Sequence, residues 1–123
     1  TGTAGNRTVD INDWFTGLRQ TARTADEVVT HLTIELRQHG GVYVKLMRYA
    51  GEDLAQAAVG IVAYPGNDYR VTFGAVAPTP IRATRIEDAL RGKDLDDELI
   101  ASVVAMVPAE ISPITTTSGT LTR

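Results

Sequence analysis

Two histidines, fifteen carboxylates and twelve lysines or arginines are the groups from which this chain could build a site. His31 falls on the polar side of an alternating stretch, and His39 stands beside Gly40-Gly41. Neither has a second histidine at metal-ligand spacing, so both are expected to be solvated. The acidic group Asp94, Asp96, Asp97 and Glu98 could hold a cation. It lacks the turn glycine and the final bidentate glutamate of a calcium loop, and helix capping accounts for it better. Asp10 and Asp13 read as a cap and a turn. No serine or threonine stands in a nucleophile motif with a histidine partner. There is no G-x-G-x-x-G and no phosphate loop. The chain has no cysteine, which excludes disulfides, thiolate metal sites, cysteine nucleophiles and iron–sulfur ligation from within it. No catalytic residue and no metal ligand is therefore assigned, and the pattern is that of a domain that helps a site rather than contains one.

Two residues stand out by their place in the alternation. Glu27 to Leu36 places Val28, Leu32, Ile34 and Leu36 on one side and Val29, His31, Thr33 and Glu35 on the other, the signature of a half-buried strand. Val29 is the apolar member of an otherwise polar side. In a second strand, Val42 to Tyr49, Lys45 lies on the side opposite Val44 and Leu46. On the residues alone, Lys45 is a solvated surface lysine and Val29 covers a loop.

The elements that hold these positions follow from the same periodicity. A third strand spans Ala55 to Tyr64, with small residues that let another layer approach. Pro65-Gly66-Asn67-Asp68 is a turn that joins it in a hairpin to a fourth strand, Tyr69 to Val76, stopped by Pro78 and Pro80. Thr84 with Glu87 three residues on predicts a capping box, opening a helix that stops at Gly92. Asp96 is expected to cap a second helix, with Asp97 and Glu98 in its first turn. Leu99, Val103 and Met106 form its apolar stripe, Ile100, Val104 and Val107 widen it, and Pro108 ends or kinks it. Gly17 to Ala25 reads as a connecting loop. Strands first and helices last predict an α+β fold: an antiparallel or mixed sheet of about four strands with two to three helices on one face.

The totals suit one domain with one core. Residues 1–6 are expected to be a flexible lead-in, 7–114 the domain and 115–123 a disordered tail. A net charge of −3 without any basic stripe argues against nucleic-acid binding. No apolar run approaches the ~20 residues of a membrane helix. The opening Thr1-Gly2-Thr3-Ala4-Gly5 carries no leader pattern, and its lack of Met points to a fragment or processed product. The absence of cysteine suits a cytoplasmic protein.

Three stretches resemble one family. Trp14-Phe15-Thr16-Gly17-Leu18-Arg19-Gln20-Thr21, followed by Asp26-Glu27-Val28-Val29, is similar to an aromatic-aromatic-x-Gly-x-Arg-x-Thr segment leading into an acidic, then apolar strand. Tyr43-Val44-Lys45-Leu46-Met47-Arg48 is similar to a K-x-x-R segment. Phe73-Gly74-Ala75-Val76 through Pro80, a helix ending Leu90-Arg91-Gly92, a second helix and Ser112-Pro113-Ile114 form the most specific series. Together they resemble the C-terminal domain of the FAD-binding (medium) subunit of molybdenum hydroxylases, the carbon monoxide dehydrogenase and xanthine dehydrogenase type. Arg23-Thr24-Ala25 departs from that pattern before the first strand, and the end lacks the expected Tyr-Arg and following helix.

The resemblance implies a domain that closes one side of an FAD site and docks partner subunits. In such enzymes a molybdenum cofactor on a large subunit oxidises the substrate. Electrons then pass through [2Fe-2S] clusters on a small iron–sulfur subunit to FAD. It implies Lys45 and Val29 as residues that contact FAD in the complete subunit, while the Gly-rich loops that grip the pyrophosphate are missing here. The chain alone is then expected to be inactive and to hold FAD weakly or not at all, and apolar surface left open by a missing third helix could pair with itself as a homo-oligomer. The alternative is a subunit-association module of the same fold that never touches flavin.

Overall fold

The computed structural model describes residues 1–49, 51 and 54–113. Its body is a four-stranded sheet in the order β3-β4-β5-β6, formed by Gly40–Met47, Ala55–Tyr64, Asp68–Gly74 and Ile81–Arg82, with every pair antiparallel. Ahead of it lie a one-turn helix α1 (Ile11–Trp14) and a small hairpin of β1 (Phe15–Gly17) and β2 (Gln20–Thr21). The helices α2 (Thr84–Leu90), α3 (Asp97–Val104) and α4 (Val107–Glu110) follow the sheet. The α+β reading with helices on one face holds. Among the described residues no helix is long and apolar enough to cross a membrane.

The core forms where α2 and α3 cover the middle of the sheet. Tyr69 and Val71 of β5 are buried with Ala83, Ile86, Leu90 and Val103, and Val59, Ile61, Ala63, Phe73, Leu99 and Met106 pack against them. These sheet residues share one parity, so β4 and β5 turn one side to the helices. Of the predicted stripe, Leu99 and Val103 are on the side that α3 uses, and Met106, just beyond its end, packs against the same core. Ile100 and Val104 are exposed and do not widen it.

Local signals placed most elements. The three residues Pro65, Gly66 and Asn67 join β4 to β5, and Gly66 and Asn67 both take the left-handed conformation such a tight connection needs. Asp96 caps α3, its carboxylate accepting from the Leu99 N–H at 2.7 Å. Asp10 likewise caps α1 through the Asn12 N–H. The described chain ends with the Ser112 N–H donating to the Val76 carbonyl, 3.1 Å away.

Three expectations are corrected. Glu27 to Leu36 joins no ladder among the described residues: Leu32 is 82%, Ile34 77% and Leu36 92% exposed. A strand needs a neighbour to bond to, and among the described residues only Thr1 bonds to this stretch, at Val28. The fourth place in the sheet is taken instead by the two-residue β6. Thr84 and Glu87 form no capping box either: Ala83 is the N-cap residue and makes no side-chain cap, while Glu87 is buried at the edge of β5. Finally, the segment read as a loop from Gly17 contains β2. The tail call, 115–123, lies outside the described residues.

Candidate functional site

The side of the sheet away from the helices carries a patch of small residues, Ala58, Gly60 and Gly74, among longer side chains. Across it run aligned rows set by the register. One row is Lys45, Ala58 and Gly74; the next is Tyr43, Gly60, Thr72 and Arg82. Gly60 keeps this floor level: a Cβ there would stand 3.0 Å from the Thr72 Oγ1 and 3.8 Å from a ring carbon of Tyr43. The Thr72 hydroxyl donates to the Gly60 carbonyl at 3.2 Å, which fixes its position. Over the floor is a shallow depression of about 490 Å³ lined among others by His39, Tyr43, Gly60, Arg70 and Thr72.

The sequence-predicted pair is split between elements. Lys45 is half-buried toward the C-terminal end of β3, beside Ala58 of β4, on this small-residue side. Val29 lies outside the sheet in the stretch that joins no ladder, 51% exposed. Just ahead of it, Glu27 is held by Arg7 through two hydrogen bonds of 2.5 and 2.8 Å and accepts from the Thr24 N–H at 2.8 Å. The Arg7 guanidinium holds the Glu27 carboxyl down at about 2. Glu27 is therefore an anchor for the segment that carries Val29.

The hairpin end of the same side is cationic and aromatic. The guanidiniums of Arg37 and Arg70 lie 5.9 and 5.8 Å from the ring centre of Tyr64, and the His39 ring lies 6.1 Å away. Arg70 pairs with Asp68, which holds the Asp68 carboxyl below its usual range. His31 and His39 are both exposed, as expected. Among the described residues no cluster of three or more metal-ligating side chains exists.

Sequence reasoning missed the ion pair that closes the other edge of the sheet. Glu87 is 3% exposed; it accepts from the Arg82 guanidinium at 2.8 and 2.9 Å and from the Val71 N–H at 3.0 Å. Burial pushes its carboxyl up, but Arg82 and the Val71 N–H outweigh that and the net shift is down. Of the floor, the sequence showed the small residues of the third strand but not the side they share with Gly74 of β5.

Residues 42–121 match the family model described as the CO dehydrogenase flavoprotein C-terminal domain. The chain belongs to this family. It is thus a C-terminal domain of the FAD-binding medium subunit of molybdenum hydroxylases, as the resemblance implied. Among relatives of this CO dehydrogenase flavoprotein domain, the glyceraldehyde dehydrogenase medium chain of Sulfolobus acidocaldarius is 33% identical over 115 residues. That match covers 89% of this chain and 41% of the relative. The carbon monoxide dehydrogenase medium chain of Afipia carboxidovorans is 33% identical over 119 residues, covering 92% and 41%. The reconstituted CO dehydrogenase from Oligotropha carboxidovorans superposes with a TM-score of 0.84 at 31% identity, over 95% of this chain and 43% of that one. The chain spans about two fifths of the length of these relatives.

Proposed function

We propose that the small-residue side of the sheet closes one face of an FAD site in the complete subunit of a molybdenum hydroxylase. The observation that carries this reading is the half-buried Lys45 beside Tyr43 over the level floor of Ala58, Gly60 and Gly74, in a flavoprotein-family domain. A flat, anionic dinucleotide suits such a surface, because Ala58, Gly60 and Gly74 raise no bulk that would hold a ring away. FAD, when bound, supplies the electron-transfer chemistry. The residues of this chain bind and shield it. The Lys45 ammonium attracts negative charge on the ring or phosphates in a partly dry site, Tyr43 offers an aromatic edge or face, and Val29 adds an apolar contact that excludes water.

In this reading the pyrophosphate is gripped by Gly-rich loops elsewhere in the subunit. The partners are a small iron–sulfur subunit with [2Fe-2S] clusters and a large subunit with the molybdenum cofactor, from which electrons reach FAD. The assembly works in the cytoplasm. The substrate is chosen at the molybdenum centre and is not encoded here.

Substituting Lys45→Met in the complete subunit is expected to lower FAD retention or shift the flavin potential, with Lys45→Arg restoring part of it. Equilibrium dialysis with the flavin absorption spectrum, plus a redox titration, reads both. Unchanged retention and potential would reject the role of Lys45. The chain by itself is expected to hold no stoichiometric flavin.

One observation favours a second reading, a subunit-association module that makes no flavin contact. Val42, Val44 and Leu46 are exposed on the helix side of β3, where no helix among the described residues covers them. Pairing of two copies through this strip is the homo-oligomer this reading proposes. Under it, Val44→Ser weakens subunit association and Lys45→Met leaves the flavin spectrum of the subunit untouched.

A further inference from the structure

The outer edge of β3 is long and open. Among the described residues no strand lies beyond it. It runs for eight residues without proline, and Lys45 is its one charge. Such an edge carries few of the devices that block strand addition. The direction of its backbone groups follows from the opposite edge of the sheet. The Val71 carbonyl accepts from the Ala83 N–H and the Val71 N–H donates to Glu87, so Val71 turns both groups away from β4. Strand alternation then turns Arg70 and Thr72 toward β4, where they face Val62 and Gly60. Val59 and Ile61 therefore bond to β3, where they meet Val44 and Val42. Gly41, Tyr43 and Lys45 are left with their N–H and C=O groups aimed outward, while Val42, Val44 and Leu46 stay exposed on the helix side.

We propose that this edge pairs with the same edge of a second copy, antiparallel about a two-fold axis at Val44, so that the two sheets become one. This pairing rests on the reading of the chain as a subunit-association module and names its contact as strand to strand. The occupant is a second copy because the edge complements itself in one register. An axis at Val44 sets Val44 against Val44 and Val42 against Leu46, and the helix side closes as an unbroken apolar patch. On the other side Lys45 of each copy meets Tyr43, a cation against an aromatic ring. The backbones of Tyr43 and Lys45 then exchange both hydrogen bonds. The neighbouring registers each lose one of these matches. An axis at Lys45 sets ammonium against ammonium. Axes at Val42 and Tyr43 set Leu46 against Gln38 and Gly40, and an axis at Leu46 sets Val44 against Arg48.

The chain has no cysteine, so single introduced cysteines report the register. Sedimentation of the whole chain is expected to show a concentration-dependent dimer. In that dimer Val44→Cys cross-links to itself under mild oxidation, because facing residues of such a pair stand about 4.5 Å apart at Cα, within disulfide reach. Val42→Cys alone does not, since the two copies of residue 42 lie about 13 Å apart; mixed with Leu46→Cys it does. Tyr43→Pro removes an outward N–H from an edge strand, a place where proline is tolerated, and is expected to weaken dimerisation about tenfold or more. A monomer at every concentration up to about 1 mM overturns the proposal together with the reading it rests on. A dimer overturns the strand pairing alone if Val42→Cys cross-links to itself, if Val44→Cys does not, or if a folded Tyr43→Pro associates as tightly as the parent chain. If Tyr43→Pro does not fold by circular dichroism, the cross-linking pattern decides on its own.

Discussion

The two long edges of the sheet are treated in opposite ways. At the β5 edge the outward backbone groups of Val71 and the turn residue Asn67 find partners within the chain. Beyond β6, Ala83 donates to the Val71 carbonyl and Glu87 accepts from the Val71 N–H. Further along, the Gly92 N–H donates to the Asn67 carbonyl and the Asn67 side chain donates to Asp94. Among the described residues the β3 edge has β4 on one side and no strand on the other, and Val42, Val44 and Leu46 stay exposed beside it. An edge closed this thoroughly resists new pairing, whereas an open apolar one invites it. The difference says which part of the domain is complete in itself and which part is made to be completed.

The largest effect expected is in the closed half. Leu90→Ala, in a residue 6% exposed, should cost about 3 kcal/mol by leaving a cavity between α2 and the sheet. Urea denaturation measures it. Breaking the edge seal itself comes next. Glu87→Ala leaves the Val71 N–H without its acceptor and Arg82 without its partner, and about 2 kcal/mol is expected because Arg82 can still reach water. A loss as small as that of a surface change would mean the seal is ornamental.

Acid should find the same seal. Glu87 has a folded pKa below its ordinary 4.5, so its contribution is present in full above that value and is lost as the pH falls through the lower folded one. Glu27 behaves alike between 4.5 and about 2, where Arg7 loses its carboxylate. Carboxyl titration by NMR, with denaturation at pH 6 and pH 3, checks both signs. Smallest of all is Leu32→Ala in the open half, within about 0.5 kcal/mol, since that side chain is already in water. The same Leu-to-Ala change, made at positions 90 and 32, tests the comparison with chemistry held constant.

The parts legible in the sequence are those whose cause is local. The turn at Gly66-Asn67, the Asp96 cap and the alternation of β4 each rest on neighbouring residues. Glu27 to Leu36 was readable as strand-like but not as part of this sheet, because alternation reports a side chain's preference and says nothing of which backbone stands alongside. Glu87 was misassigned for a related reason: its spacing from Thr84 fits a cap, and only the folded chain brings the Val71 N–H within its reach. Lys45 was placed on the correct strand and side; the glycine and alanine floor that makes its position notable comes from residues on two other strands.

The strand order β3-β4-β5-β6 follows the chain without a crossover. Each ladder therefore joins segments that are adjacent in the polypeptide, and little loop entropy is spent before a pairing is made. Pairing between successive strands favours rapid refolding of the sheet. Synthesis on the ribosome can thus finish this piece without waiting for any distant portion of a larger molecule.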